Sequence, residues 1–307
     1  MAERAARRET FLMAERAAVQ GPPGGAARLA ARLPAESFFV GSAIFHYLGP
    51  AFAVLLFARV EPLGVAWLRI LSAALIFALW RRPWRALATL DRGGRRTVFA
   101  MGVVLGAMNP CFYIAIDRLP LGTVAAIEFL PVIALAALGA RTRRNGAALL
   151  SASIGVYLLT DVRLEADPLG LVFAFANAGL FALYITLAHR VANERGITGI
   201  DGLAGAMLVA SVVALPVGAW DAAPAFVDPV ALGAAVGVGV TSSVIPYVCD
   251  QLAMARMARA TYALLVSLLP ATATVVGLVV HAQVPARIEV AGVALVVLGV
   301  ALRREPG

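Results

Sequence analysis

Lysine is absent from this chain, so all 26 of its basic residues are arginine. Charge of either sign is scarce. Asp, Glu, Lys and Arg make up 14% of the 307 residues, against roughly 25% in a soluble domain. Mean hydropathy is +0.85, and 61% of residues are hydrophobic. That leaves too little polar surface to solvate a globule of this size. Cysteine is almost missing. Cys111 and Cys249 both lie inside apolar stretches, where they are expected to act as small packing residues. Their number and spacing exclude a disulfide framework and a cysteine metal site. There is no Walker A loop, no HExxH and no GxSxG with plausible partners. ATP hydrolysis and intramembrane proteolysis are therefore not expected, nor is any enzyme activity, cofactor or metal. No stretch is polar enough to form a soluble domain that would hold a nucleic acid.

Ten long apolar runs are present, at about 38–58, 63–80, 98–116, 120–140, 146–161, 168–188, 202–220, 232–254, 260–281 and 286–302. A helix needs ~20 mainly apolar residues to cross the hydrocarbon layer, with ~17–25 common. The other spanning solution, a closed barrel, would show short alternating segments, and these are absent. The fold class read from the sequence is all-α, a polytopic protein with ten transmembrane helices. The lipid bilayer is thus its first partner.

The arginines fall in clusters at 4–32, 81–96, 141–144, 190–195, 256–259 and 303–304, while the alternate connections carry Asp161, Glu165, Asp167, Asp221 and Asp228. Of the 26, 21 lie on one side of such a topology, Arg59, Arg118, Arg163 and Arg287 on the other, and Arg69 within a run. This is the positive-inside pattern. It predicts both termini in the cytoplasm.

Residues 1–37 are rich in Arg and Ala and repeat the string MAERAA at 1–6 and 13–18. They have no apolar core, so a signal peptide is not expected; a disordered cytoplasmic tail is. The rest reads as two units, 38–161 and 168–303. Asn109-Pro110-Cys111-Phe112-Tyr113 answers Ile245-Pro246-Tyr247, and Leu130-Pro131 answers Leu269-Pro270, at offsets of 136 and 139. Five runs per unit force the second copy to enter the membrane upside down. Such inverted repeats place a substrate site near the midplane, at their interface.

Arg69 and Glu128 need explanation first, because an ionisable group inside a span marks a functional site by default. Glu128 is roughly 12 Å deep at 1.5 Å per residue, among apolar neighbours and one turn before the break expected at Pro131. Loss of water there favours the neutral acid, so Glu128 is a candidate proton carrier, or else a structural partner of Arg69. Arg69 is comparably deep and cannot be neutralised. Its fork suits a substrate carboxylate or a fixed counter-ion role. His46 is a second proton-coupling candidate, against a packing role. Asn109 and Tyr113 share a helix face, as do Asn177 and Tyr184. Ser243, Tyr247 and Asp250 form a third stripe. Polar stripes on three apolar helices favour a shared cavity over interhelical glue alone. The substrate-binding candidates are therefore Arg69, Asn109, Tyr113, Glu128, Asn177, Tyr184, Tyr247 and Asp250.

Several segments carry a resemblance. They are Trp67-Leu68-Arg69, Arg82-Pro83-Trp84-Arg85, Met108-Asn109 with Phe112-Tyr113, Leu119-Pro120-Leu121-Gly122, Ala126-Ile127-Glu128-Phe129, Pro246-Tyr247, and Ser267-Leu268 before Pro270. With these, the chain from 38 to 302 resembles EamA-type members of the drug/metabolite transporter superfamily, especially the threonine/homoserine-exporter-like branch. The resemblance implies an inverted 5+5 repeat and alternating access. It implies proton-coupled export of small amino acids across the inner membrane of a bacterium. It assigns Arg69, Asn109, Tyr113, Glu128 and Tyr247 to the cavity, and Asp250 to a position where relatives can carry Glu. Two positions depart from the pattern. Leu269 stands where relatives often have Glu before the proline, and His281 replaces the acid of a common Gly-Glu pair. Fewer carboxylates in the second half bear on substrate and coupling, not on fold. The competing readings are efflux of drugs or of another metabolite class, and a non-transporting receptor or scaffold. The expected partners are a small-molecule substrate and protons, with the chain a monomer or homodimer.

Overall fold

The computed structural model describes residues 33–139, 142–164, 167–192, 197–254 and 269–302. The N-terminal tail to residue 32, Arg256, Arg259 and Ser267-Leu268 lie outside the described residues. Within the described residues every regular element is helical. In order these are α1 (Ala35–Leu56), α2 (Pro62–Arg81), the short α3 (Pro83–Thr89), α4 (Arg92–Arg118), α5 (Leu121–Gly139), α6 (Arg143–Leu164), α7 (Pro168–Ala192) and α8 (Gly199–Gly218). A 3-10 turn, Ala223–Phe226, precedes α9 (Pro229–Gly239), which runs through a π-turn, Val240–Val244, into α10 (Ile245–Met254). Helices α11 (Leu269–His281) and α12 (Arg287–Leu302) follow.

Local chemistry sets the boundaries. Prolines at the first helical position open α2, α3 and α9, where the missing N–H costs nothing. Pro83 also disfavours helical geometry at Arg82, which takes a left-handed conformation (φ 48°) and ends α2. Asp91 caps α4 by accepting from Gly94 N at 2.7 Å. Thr198 and Asp201 form a reciprocal capping box on α8. Asp228 caps α9, accepting from Val230 N at 2.9 Å and Ala231 N at 3.1 Å. The Ala231 amide, together with the Arg59 guanidinium, holds the Asp228 carboxyl below its usual range.

Every expected apolar run overlaps a helix, though residues 260–268 of the ninth lie outside the described residues. Six helical rods are long and apolar enough to cross a bilayer: Ser37–Leu56, Pro62–Arg81, Arg92–Arg118, Pro168–Ala188, Gly199–Gly218 and the continuous Pro229–Asp250. Leu121–Pro131 and Leu269–His281 are shorter apolar helices. The protein is thus all-α and multi-pass. Its outer surface fits that environment. Leu79 (80% exposed), Val279 (75%) and Val212 (68%) stand on the outside of their helices, where lipid rather than water is the compatible solvent. Trp80, Trp84 and Trp220 are exposed near helix ends, at the level where interfacial aromatics gather.

Inside, α6 packs along α12, α2 against α8, and α5 against α11. Helix α4 contacts α7 and α8, and the α9–α10 rod contacts α1 and α2. Helix α1 meets α11, and α5 meets α7. Small residues permit these approaches; a Cβ on Gly155 of α6 would stand 2.5 Å from the Gly292 carbonyl oxygen of α12. Surface pairs keep to two groups. Arg59 meets Asp228 at 2.9 Å and Arg118 meets Asp167 at 3.4 Å. Separately, Arg81 meets Asp201 at 2.9 Å, and Arg144 donates to the Leu302 carbonyl at 2.8 Å. Among the described residues no ion pair joins one group to the other, as two opposite membrane faces require.

Candidate functional site

Arg69 projects from α2 into the interior and is 8% exposed. Its Nε donates to Ser243 Oγ at 3.0 Å, Nη1 to Asn109 Oδ1 at 2.8 Å, and Nη2 to the Ser242 carbonyl at 3.1 Å. The guanidinium also lies over the Tyr113 ring, 5.6 Å from its centroid. Three helical rods therefore converge on one cation: α2, α4 and the rod running from α9 into α10.

The Ser242 carbonyl is available for a sequence reason. In a regular helix it would accept from the N–H four residues on, at position 246. That residue is Pro246, which has no N–H and whose ring collides with that carbonyl. The backbone responds with the π-turn, in which Ile245 N bonds Val240 O. Such turns are frequent at functional sites. Two glycines let the rods close on this point. A Cβ on Gly49 of α1 would overlap Ser242, and one on Gly239 would overlap Ser72 Oγ and stand 2.9 Å from the Arg69 carbonyl. Asn109 is fixed by a second bond, its Nδ2 donating to the Leu105 carbonyl at 2.9 Å. That bond presents Oδ1 to Arg69.

Glu128 on α5 is 5% exposed, and its Oε1 accepts from Asn177 Nδ2 of α7 at 3.1 Å. Arg69 and Glu128 share the interior, but they do not form an ion pair. The structural pairing considered from the sequence gives way to neutral partners for each. Matched depth is no guarantee of contact when helix rotation points the two side chains at different neighbours. His46 is half-buried and sits edge-on to Tyr47 at 5.3 Å; no hydrogen bond joins it to Glu128. Tyr184 and Tyr247 are half-buried and meet through a hydrogen bond, linking α7 to α10. Tyr247 is within electrostatic reach of Arg69, Asp250 and Glu128. Asp250 is half-buried one turn further along α10. Of the eight expected binding residues, which come from five helices, Arg69, Asn109, Tyr113, Glu128 and Asn177 are buried, and Tyr184, Tyr247 and Asp250 are half-buried.

Two participants were not singled out in the sequence. Tyr47 on α1 and Ser242 are buried; the Tyr47 hydroxyl and Asn177 Oδ1 have no hydrogen-bond partner, while the Tyr113 hydroxyl is turned towards Arg69 and Ser242. Buried polar atoms are nearly always paired. The unpaired Tyr47 hydroxyl and Asn177 Oδ1, beside one buried cation and one buried carboxyl, therefore mark a place that a polar ligand would complete. The signal for Ser242 was available as the position four before Pro246. Tyr47 is indistinguishable in sequence from a packed aromatic. Among the described residues no three His, Cys, Asp or Glu side chains converge as a metal set.

These features define a class: an all-α, multi-pass membrane protein with a charged polar centre built from several helices. Residues 168–303 match the model of the EamA-like transporter family, so the second half of the chain carries an EamA-like domain. Similarity to individual proteins extends further. The chain is 27% identical to the threonine/homoserine exporter RhtA of Salmonella typhimurium (strain SL1344) over 292 residues, 92% of this chain and 97% of that protein. It is 28% identical to the threonine/homoserine exporter RhtA of Escherichia coli (strain K12) over 260 residues, 84% and 86% of the two chains. One solved crystal structure superposes with a TM-score of 0.55 at 19% identity, covering 87% of this chain and 96% of that one. The fold is shared with it.

Proposed function

We propose that this chain is a secondary active exporter of small amino acids, of the threonine/homoserine kind or close polar relatives, in the inner membrane of a bacterium. Ten spans, arranged as inverted repeats over 38–161 and 168–303 with both termini cytoplasmic, form the transport unit. The packing supports this. Exchanging each span with the one five places away turns α4–α7 into the contact of the α9–α10 rod with α1. It likewise turns α4–α8 into the contact of that rod with α2, and α1–α11 into α5–α7. The α2–α8, α5–α11 and α6–α12 contacts map onto themselves, as a two-fold axis demands.

The observation that carries the reading is Arg69. A guanidinium has five N–H donors, and here three meet neutral acceptors. Two are left for a substrate carboxylate, beside the buried hydroxyls of Tyr113 and Ser242. Glu128, Asn177 and Tyr47 supply acceptors and donors for the ammonium and side-chain hydroxyl. Glu128 exchanges its hydrogen-bonded state for a proton during the cycle, which couples export to the proton gradient. Alternating access follows from rocking of the two repeats about this centre. The test is counterflow in proteoliposomes across a panel of amino acids, with and without a pH gradient. Threonine and homoserine should exchange, and an imposed gradient should drive their accumulation. No counterflow for any amino acid would end this reading.

A further inference from the structure

A cavity with both polar and apolar walls lies outside the Arg69 centre. It has a volume of about 360 Å³, and its lining includes Asp117, Arg118, Thr123, Thr274, Gln283 and Glu289. Small-molecule sites typically occupy ~300–1,000 Å³. It sits where α4 ends and α5 and α12 begin, on the face that the arginine distribution assigns to the outside. Its groups are of both signs. Asp117 is exposed and has no cationic partner among the described residues. Arg118 holds Asp167 only by a 3.4 Å contact between side chains 38% and 23% exposed, a kind of pair that contributes little and yields readily. Glu289 is 5% exposed, and its Oε2 accepts from Ala286 N at 2.8 Å.

The cavity shares α4 and α5 with the buried centre. Tyr113 and Asp117 are four residues apart on α4, hence on one face and roughly 6 Å along the axis. The Arg69 guanidinium lies against the Tyr113 ring, 5.6 Å from its centroid. On α5, Thr123 precedes Glu128 by five residues, about 7.5 Å. Asp117 thus stands one turn beyond Tyr113 along α4, towards this face.

We propose that this cavity is a release-side station that holds the departing amino acid by its ammonium group at Asp117, with Arg118 receiving the carboxylate. It rests on the transport reading above. Exposed, solvent-screened charges bind weakly, which suits a site from which substrate must leave. The fully buried Arg69 centre does not have that property.

The test uses the full chain with Cys111→Ala and Cys249→Ala, and with Gln283→Cys added. A charged, membrane-impermeant thiol reagent applied outside intact cells should label position 283. In proteoliposomes the labelled protein should lose at least tenfold in threonine counterflow. Saturating threonine should slow labelling at least threefold, and N-acetylthreonine, which lacks the ammonium, should not. Asp117→Asn should raise the half-saturating threonine concentration about tenfold on the outer side and leave the inner side unchanged. Labelling indifferent to threonine, equal protection by N-acetylthreonine, or a two-sided effect of Asp117→Asn would each overturn the station. Absence of counterflow in the unmodified protein sinks the transport reading with it. Counterflow that persists after labelling ends the station alone.

Discussion

At the scale of single residues, Arg69 is the cost the fold must offset. Insertion scales put an arginine at mid-bilayer at ~2.5–3.5 kcal/mol, and hydrogen bonds to a charged group return ~1.5–3 kcal/mol each. Three such bonds, to Asn109, Ser243 and the Ser242 carbonyl, are enough to hold the charge without a counter-ion. The bonds leave a planar fork in three directions, towards α4 and the rod containing the π-turn. An ammonium group offers three donors from one point and cannot span them. Arg69→Lys is therefore expected to reach the membrane at normal levels and to lose at least tenfold in counterflow. Wild-type counterflow from that variant would mean that only the charge matters. The sequence exposed Arg69 and Glu128 as anomalies, since a charge within an apolar run is visible without a structure. It did not reveal their partners. Helices that are apolar on every side carry no stripe that fixes their rotation. The residues that meet Arg69 are 40 to 174 positions away.

At the scale of elements, the π-turn is the part that gives the site its shape. Pro246 was legible as a repeat of Pro110, but its consequence four residues earlier was not. Ser242 looks like an ordinary small residue until the carbonyl freed by the proline is seen bonding Arg69. Pro246→Ala restores an N–H that can close the helix on Ser242 O. A proline in a helix interior costs ~3 kcal/mol relative to alanine, so the variant should be more heat-resistant in detergent. It should also transport at least fivefold more slowly, because the carbonyl turns away from Arg69. A variant that gains stability and transports normally would separate the π-turn from function. Other helix boundaries have local causes: proline at helix starts, the Asp91 and Asp228 caps and the Thr198 capping box act through neighbouring residues and need no distant packing.

At the scale of the whole molecule, the proposed ten-span arrangement rests on the arginine distribution, and the surface pairs of the structure are compatible with it. The sequence assigns Arg59, Arg118 and Arg287 to one face by loop charge. The structure pairs Arg59 with Asp228 and Arg118 with Asp167, and separately Arg81 with Asp201. Single cysteines replacing Arg92 and Val227, in protein lacking Cys111 and Cys249, should label from the inside and the outside respectively. Labelling of both from the same side would contradict the ten-span arrangement. The repeat was legible only faintly, through two proline pairs. The helix contacts that support the proposed repeat form only once the chain is packed.

The most direct test of the central claim, that a buried carboxyl couples substrate movement to protons, is Glu128→Gln in proteoliposomes. The amide keeps the volume and can still pair with Asn177, which holds Glu128 at 3.1 Å, but it cannot release a proton. Removing a charge worth at least ~2.5 kcal/mol at mid-bilayer is enough to bias a two-state equilibrium by well over tenfold. The account predicts that the variant exchanges threonine across the membrane yet fails to accumulate it when a pH gradient is imposed. Accumulation at the wild-type rate and extent would contradict it.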